Sequence, residues 1–421
     1  MRVLYLTQWF DPEPNVIKGP RFVRALQAAG HQVSVVTGFP NYLTGRIYPG
    51  YRMGLLKRET IGGVSVTRLP LYPSHDASSL RRSLNYLSFF ISALAYGLLR
   101  RRPYDLAYVY HPPITVGLAA ALSGLVRRLP FVLEIQDLWP DTVAETGMAG
   151  GRTVRLLDAV CRFVYRRATA IVVQSEGMRR TLIERGVPAS KLTTIRNWAG
   201  LEPAALSPPR PDDAGTFTVV YAGNHGRSQS LETVLEAALL IQAQRWDIRF
   251  HFYSGGVEAG RLKEHAARLG LENLTFHGHV PEAEILAAFA SAGALLLHLR
   301  DGPLFRITLP SKTQTYLAMG RPIVAGVSGE TAELLSRSGA ALIAPPEQPQ
   351  ALAAAICRLA DMPRQRREAM GRAGRRFYVQ DLSFEQAIDR TLAVLERAHA
   401  ESRPGERAGV RDGAVVATNG A

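Results

Sequence analysis

Two stretches of the chain place cations beside hydroxyls at the mouth of a helix. Residues 300 to 326 read RDGPLFRITLPSKTQTYLAMGRPIVAG. Arg306 and Lys312 stand with Thr308, Ser311 and Thr313 where a helix-like run opens, and Pro310 suits a first turn. Cations at that end oppose the helix dipole, which makes sense if an anion lies between them. A diphosphate fits; the plain alternative is solvated surface charge. In YAGNHGRSQSLE, Gly223 and Asn224 form a turn after a strand, and Arg227 follows before the next helix. Glycine lets backbone approach a ligand, and Arg227 could add a charge-assisted bond to phosphate. The alternative is an ordinary strand-to-helix turn capped by Ser228 or Ser230.

Other candidates also fall at expected strand ends, where ligands sit in open α/β sheets. EIQDLWPD puts Asp137 at a strand end and Asp141 four residues later. Either carboxylate could accept a proton or hold sugar hydroxyls, and either could simply cap the next helix. Glu134 lies inside the apolar strand and needs a partner if buried. His111 follows LAYVY, and Lys18 lies in TQWFDPEPNVIKGP after the first strand; both join the candidates, although a lone histidine is often structural. Gly278, in HGHVP, marks another strand end. No metal-ligand cluster, Walker A or GxGxxG after the first strand is present, which counts against nicotinamide chemistry, and no metal or cofactor is expected. Aromatic content is 8% and not interleaved with basic residues, so nucleic acid is not the expected partner.

These residues need a scaffold of alternating strands and helices, and the sequence supplies one. Short apolar runs (RVLYLT, HQVSVVT, LAYVY, FVLEIQ, AIVVQS) alternate with helical patterns, the signature of parallel strands buried on both faces. Residues 201 to 215 are Pro-rich and aperiodic and read as a linker. The alternation then restarts with FTVVYAGN, IRFHFYSGG, LTFHGHV and ALLLHL. The expected architecture is therefore two Rossmann-like, doubly wound α/β domains facing a cleft, at 1–205 and 216–385. A C-terminal helix at 386–400 is expected to pack back on the first domain, and a Gly-, Arg- and Ala-rich tail at 401–421 to be disordered. A length of 421 residues suits two domains. Two cysteines far apart in sequence, Cys161 and Cys357, fit a reducing cytosol, and the N-terminal run reads as a buried strand rather than a cleavable signal.

Charge is uneven along the chain. Residues 1 to 205 carry 26 Lys+Arg against 13 Asp+Glu, whereas the remainder carries 24 against 23. One acidic partner surface met by the first domain explains this; a generally Arg-rich, solvated face is the alternative. Residues 84 to 99 form an uncharged helical run flanked by Arg81, Arg82 and by Arg100, Arg101 and Arg102. It is short of the ~20 residues needed to cross a bilayer. Two readings fit it, a helix lying against an anionic membrane surface and a buried helix with solvated ends.

Taken together, TGFPNYLTGRIYPGYR, YVYHPPITVGL, EIQDLWPDTV, QSEGMRRTLIERGVP, YAGNHGRSQSLETVLEAA and PLFRITLPSKTQTYLAMGRPI resemble the retaining, GT-B-fold glycosyltransferases of family 4. The resemblance runs over nearly the whole length and is nearest to the bacterial WbuB-like branch, the fucosamine transferases of O-antigen and capsule assembly. It implies a nucleotide sugar, UDP-linked, bound by the second domain, and a lipid-linked saccharide acceptor met by the first. It also implies work at the inner face of the bacterial membrane and no catalytic metal. It places Arg227 and Lys312 on the donor diphosphate with Asp137 at the reacting end. Gly223, Asn224, Arg306, Thr308, Ser311, Thr315 and Gly278 fall on the donor side, and Lys18, His111 and Asp141 on the acceptor side. The wider family's Glu-x7-Glu pair is missing: its positions are Ile307 and Thr315 here. A deoxy-sugar donor, with fewer hydroxyls to satisfy, would suit that loss. The fold equally admits a sugar-nucleotide epimerase or hydrolase, and a non-catalytic membrane scaffold of the assembly complex would also fit the absent glutamates.

Overall fold

The computed structural model describes residues 1–14, 17–42, 44–74, 78–100, 103–145, 151–200 and 215–402. Arg101 and Arg102, nearly all of the expected linker and the expected disordered tail beyond 402 lie outside the described residues. The chain divides into two compact units, one of residues 1–173, 182–195 and 388–421, the other of 174–181 and 196–387.

The first unit contains β1 (Arg2–Leu6), α1 (Pro20–Ala28), β2 (Gln32–Gly38), β3 (Lys57–Ile61), β4 (Val64–Leu69), α2 (Ser79–Leu99), β5 (Leu106–His111), α3 (Ile114–Arg127), β6 (Phe131–Ile135), α4 (Asp141–Glu145), α5 (Gly151–Arg167), β7 (Ala170–Val173), only the C-terminal end of α6 (Glu176–Glu184) from Leu182 onward, and β8 (Leu192–Thr194). Its sheet runs β3-β4-β2-β1-β5-β6-β7-β8. All neighbours are parallel except β3 and β4, a hairpin the sequence reading does not assign. Gly62 and Gly63 turn it with φ of +54° and +81°, the positive values a two-residue hairpin loop requires. β5 and β6 are buried along their whole length, so their continuous apolar runs follow from cover on both faces.

The second unit contains β9 (Phe217–Ala222), α7 (Glu232–Gln242), β10 (Ile248–Tyr253), α8 (Ala259–Arg268), β11 (Leu274–Gly278), α9 (Glu282–Ser291), β12 (Ala294–His298), α10 (Pro303–Arg306), α11 (Ser311–Met319), β13 (Ile323–Gly326), α12 (Gly329–Ser338), β14 (Ala341–Ala344), α13 (Pro349–Ala360) and α14 (Arg364–Phe377). Its parallel sheet runs β11-β10-β9-β12-β13-β14. Apolar clusters cover both faces, one including Leu295, Tyr316 and Ile323, the other Val234, Phe250 and Ile356. A final helix, α15 (Phe384–Glu401), belongs to the first unit from Ile388 onward. Arg397 on it donates to Thr193 Oγ1 at 2.9 Å.

Helix α2 is longer than the run at 84–99 and is two-faced. Ser78 caps it by accepting from Arg81 N, at 3.4 Å. Asn85, Phe89 and Ala93 are buried along one stripe, whereas Leu80, Leu84, Leu87 and Ile91 lie exposed along another. The segment is therefore buried along one face and exposed along the other.

Lys18 is not a surface group. It is 1% exposed, and its Nζ lies 2.9 Å from Glu134 Oε2, itself 1% exposed on β6. The Tyr108 hydroxyl and Gln136 Nε2 also donate to Glu134, and Lys18 Nζ stands 4.3 Å from the Phe22 ring centroid. The partner that Glu134 needed is thus the lysine expected on the acceptor side, and burial lowers the Lys18 pKa. Removing one member of such a pair strands the other charge in the core, at a cost of about 3–5 kcal/mol, whereas replacing both by apolar groups is often neutral. Lys18→Met should therefore lower the urea midpoint sharply, and Lys18→Met with Glu134→Leu should recover most of it. Equal losses in the single and double variants would contradict a paired core charge.

Candidate functional site

The second unit brings its candidates to the carboxyl edge of its sheet through one helix, α11. Tyr316 and Lys312, four residues apart, share a face of that helix. The Tyr316 hydroxyl accepts from Ala222 N at 3.3 Å and so ties α11 to the last residue of β9. One turn earlier, Lys312 lies over the loop that follows β9, with Nζ 4.8 Å from the Tyr221 ring centroid. Gly223 makes this approach possible. Its φ is +138°, and a Cβ there would stand 2.2 Å from Lys312 Cε and 2.6 Å from Nζ. No carboxylate among the described residues forms a salt bridge with Lys312, and burial brings its pKa down to about 8. The helix start adds nothing negative: Pro310 offers no side-chain cap and the first turn has no acid.

The other donor-side candidates surround this lysine unequally. Arg227 is 85% exposed and pairs with Glu258 at 3.0 Å, while Glu258 also holds Arg261 at 2.6 Å. Arg306 forms a two-pronged bond to Asp301 at 2.9 and 2.6 Å, and Arg306 and Ser328 hold the Asp301 carboxyl down to about 2. Asn224 is exposed in the loop after β9, its carbonyl accepting from the Tyr221 hydroxyl at 2.7 Å. Gly278 ends β11 with φ +73°, and its carbonyl accepts from Ser254 N at 2.6 Å. Ser311 is exposed at the first helical position. Thr308 and Thr315 turn their hydroxyls back to the carbonyls of Leu304 and Ser311, at 2.7 and 3.4 Å. Thr313 is buried with its hydroxyl unpartnered. Ile307 packs against Gly177, and its carbonyl accepts from Ser175, so that position holds the backbone of 174–181 rather than a ligand.

Several participants are invisible to motif reading. Tyr221 and Tyr316, which seat Lys312, read in sequence as core aromatics. Glu330, at the start of α12, accepts from the backbone N–H groups of Glu176 and Gly177, at 3.1 and 3.0 Å, and from Arg196 at 3.0 Å. Among the described residues no group of three or more His, Cys, Asp or Glu could hold a metal ion.

At the carboxyl edge of the first unit, three of the four candidates are engaged or enclosed. Lys18 is the counter-ion of Glu134. Asp141 opens α4 and takes a two-pronged bond from Arg185 at 2.8 and 2.7 Å. His111, ending β5, is fully buried, and burial brings its pKa down to about 3, so it is neutral with both ring nitrogens unpartnered. Asp137 is exposed and has no hydrogen-bond or ion-pair partner among the described residues. Its carboxylate is nonetheless surrounded closely enough that burial raises its pKa.

Comparison with known proteins supplies the class. Residues 20–198 match the Glycosyl transferase 4-like domain and residues 216–362 match Glycosyl transferases group 1. The chain is a glycosyltransferase of this family-4 kind, built from two Rossmann-like domains in the GT-B manner. It is 28% identical over 358 residues to WcaI of Escherichia coli K12, named as a colanic acid biosynthesis glycosyl transferase, across 79% of this chain and 85% of that one. The sucrose-phosphate synthase of Thermosynechococcus elongatus shares its fold with a TM-score of 0.69 and 17% identity, over 95% of this chain and 100% of that one. Anabaena HepE, solved with UDP, does so with a TM-score of 0.67 and 15% identity, over 94% and 100%.

An ammonium enclosed without a counter-ion weakens the fold that holds it. The Lys312 pKa is about 8 in the folded chain against an ordinary 10.5, so the folded state disfavours the charged form. The penalty is complete below pH 8, shrinks as pH rises, and vanishes above the unfolded value. Lys312→Met should therefore stabilise the ligand-free protein by about 1–3 kcal/mol at pH 7, allowing for partial solvent access. The gain should fade by pH 10.5, as followed by thermal unfolding at the two pH values. Destabilisation at pH 7 would contradict an unneutralised lysine.

Proposed function

We propose that the chain transfers a sugar, with retention, from a UDP-linked donor to a lipid-linked saccharide during assembly of a cell-surface polysaccharide. The observation that carries this reading is Lys312, a cation without a salt bridge among the described residues, seated at the start of α11 over Gly223 beyond the end of β9. That seat suits a diphosphate, whose charge would restore the ammonium's full protonation. The UDP in the HepE complex and the name of WcaI support the nucleotide and the pathway class. Arg227 and Arg306 serve as auxiliary diphosphate contacts. Both arginines are exposed, so their present ion pairs with Glu258 and Asp301 are weakly held and exchange readily for phosphate oxygens. Gly223, Asn224, Ser311, Thr308 and Gly278 complete the donor side.

In the proposed step, the acceptor oxygen bonds to the anomeric carbon on the face that the diphosphate leaves. The carbon–oxygen bond to phosphate breaks, and the departing phosphate oxygen takes the acceptor's proton. Lys312 and the arginines stabilise the charge that develops on the leaving group, a kind of contribution that is large in preorganised sites. Asp137 orients the attacking hydroxyl. With Ile307 and Thr315 in place of two glutamates, the donor loses one carboxylate contact to a sugar hydroxyl and one to its ribose, and the first loss favours an N-acetylated deoxyhexose of the fucosamine type, as in the WbuB-like branch.

The membrane surface enters through α2. No helix among the described residues is long and apolar enough to cross a membrane. The exposed stripe Leu80, Leu84, Leu87 and Ile91 suits insertion at the level of anionic headgroups. The peripheral position this implies is the inner face of the bacterial plasma membrane.

Two measurements test these readings. Lys312→Ala should weaken UDP binding by calorimetry and lower sugar transfer into a membrane extract by roughly a hundredfold, the scale of one lost transition-state charge contact. Unchanged UDP affinity would remove the lysine from the site. In flotation with vesicles containing phosphatidylglycerol, the wild-type chain should bind at low salt, and Leu84→Ser with Leu87→Ser and Ile91→Ser should release it. Retention of the triple variant on vesicles would exclude this face as the membrane contact.

A further inference from the structure

The carboxyl edge of the first unit carries a run of aromatic rings that the donor chemistry leaves unexplained. Trp9 follows β1, Tyr42 follows β2, His111 ends β5, Trp139 follows β6, and Tyr86 lies on α2. Their centroids form one chain: Tyr42 to Trp9 at 4.9 Å, Trp9 to Tyr86 at 6.4 Å, Tyr86 to Trp139 at 6.3 Å and Trp139 to His111 at 5.8 Å. β2, β1, β5 and β6 are consecutive in the sheet. The chain connectivity reverses between β1 and β5, the point where an open α/β sheet holds its ligand.

A core cluster would bury these rings, but Trp9, Tyr42 and Tyr86 all keep access to solvent. Burial raises the phenol pKa values of Tyr42 and Tyr86, and Asp137, exposed on the loop between β6 and Trp139, lies near enough for its charge to add to both. His111 adds two buried ring nitrogens without partners behind Trp139. Successive rings are tilted by 51° to 79°, so no parallel pair forms a slot for a flat base. A nucleotide would also bring phosphate charge against Asp137. A pyranose fits better, because one face presents C–H groups to the electron-rich ring while the rim presents hydroxyls to a carboxylate.

We propose that this edge is a saccharide subsite, in which a neutral or N-acetylated pyranose stacks on Trp9 and Tyr86 and donates a hydroxyl hydrogen bond to Asp137. The assignment rests on the proposed transfer to a saccharide acceptor and adds the sugar class: a uronic acid is disfavoured, since its carboxylate would meet that of Asp137. All three touch the sugar directly, Trp9 and Tyr86 through its C–H face as specificity-determining groups and Asp137 through a hydroxyl.

The test uses the full chain and two probes, the methyl glycosides of N-acetylglucosamine and of glucuronic acid, observed by saturation-transfer NMR with and without UDP. The N-acetylglucosaminide should show transfer concentrated on the C–H groups of one ring face, and the glucuronide little. Trp9→Ala and Tyr86→Ala should each weaken binding roughly three- to tenfold, the scale of one aromatic contact, while Trp9→Phe retains it. Lys312→Ala should lose UDP and keep the glycoside. Binding that survives both alanine variants, or equal binding of the glucuronide, overturns the proposal. UDP binding without any glycoside binding also overturns it and leaves the donor reading intact. Glycoside binding without UDP binding supports the subsite and defeats the donor reading instead.

Discussion

The candidate site depends on one uncompensated charge. Lys312 is held against the end of β9 because Tyr316 ties α11 to Ala222 and because residue 223 has no side chain. Neither support is negotiable in small steps. A methyl group at position 223 would occupy the space of the lysine stem, and the φ of +138° already favours glycine. The backbone therefore specifies where the ammonium stands to within the freedom of one side chain. A leaving group needs that kind of preorganisation, because charge stabilisation that must first reorganise loses much of its value.

Among the described residues, no acid of the second unit forms a salt bridge with this lysine. Glu258 holds Arg227 and Arg261, Asp301 holds Arg306, and Glu330 is consumed by two backbone N–H groups and Arg196. The two positions where the wider family carries glutamates are Ile307 and Thr315, neither of which can accept a proton from an ammonium. Arginine, always charged and able to bond in two prongs, is the natural partner for those acids. The more easily deprotonated lysine is left for the ligand. A cation paired in the ligand-free state would have to break that pair before it could act.

Much of this was legible in the sequence. Continuous apolar strands and alternating helices predicted two doubly wound domains, because strands buried on both faces leave no polar residue to confuse the pattern. Gly223, Lys312 and Asp137 stood out because ligand sites in such sheets fall after strands. Lys18 did not read correctly: its role is set by Glu134 more than a hundred residues away, and no local pattern encodes a partner across a parallel sheet. Asp141 and Arg185 pair across a gap of 44 residues, also beyond local pattern. The β3–β4 hairpin was missed because KRETI and VSVTRL mix charge with apolar residues at a sheet edge, where one strand lies half in solvent. Helix α2 divided the two readings because its length and lack of charge say nothing about which stripe packs against α3.

The two unusual ionic arrangements have opposite physical logic, and the difference separates structure from function. Lys18 and Glu134 are both removed from solvent and satisfy each other, with Tyr108 and Gln136 filling the remaining capacity of the carboxylate. Nothing about that group invites a ligand, because every charge is already met. Lys312 is less deeply placed yet lacks a salt bridge among the described residues, and the Tyr221 face is its cushion. A folded chain keeps an unmet charge only where the rest of the structure over-determines its position. Here the over-determination is visible in Gly223 and Tyr316. The same asymmetry holds in the first unit, where Asp141 is bound to Arg185 while Asp137 stands unpaired among aromatic rings. Of the buried or enclosed candidates, it is a charge without a partner among the described residues, rather than one already paired, that marks the place where substrate is expected to complete the structure.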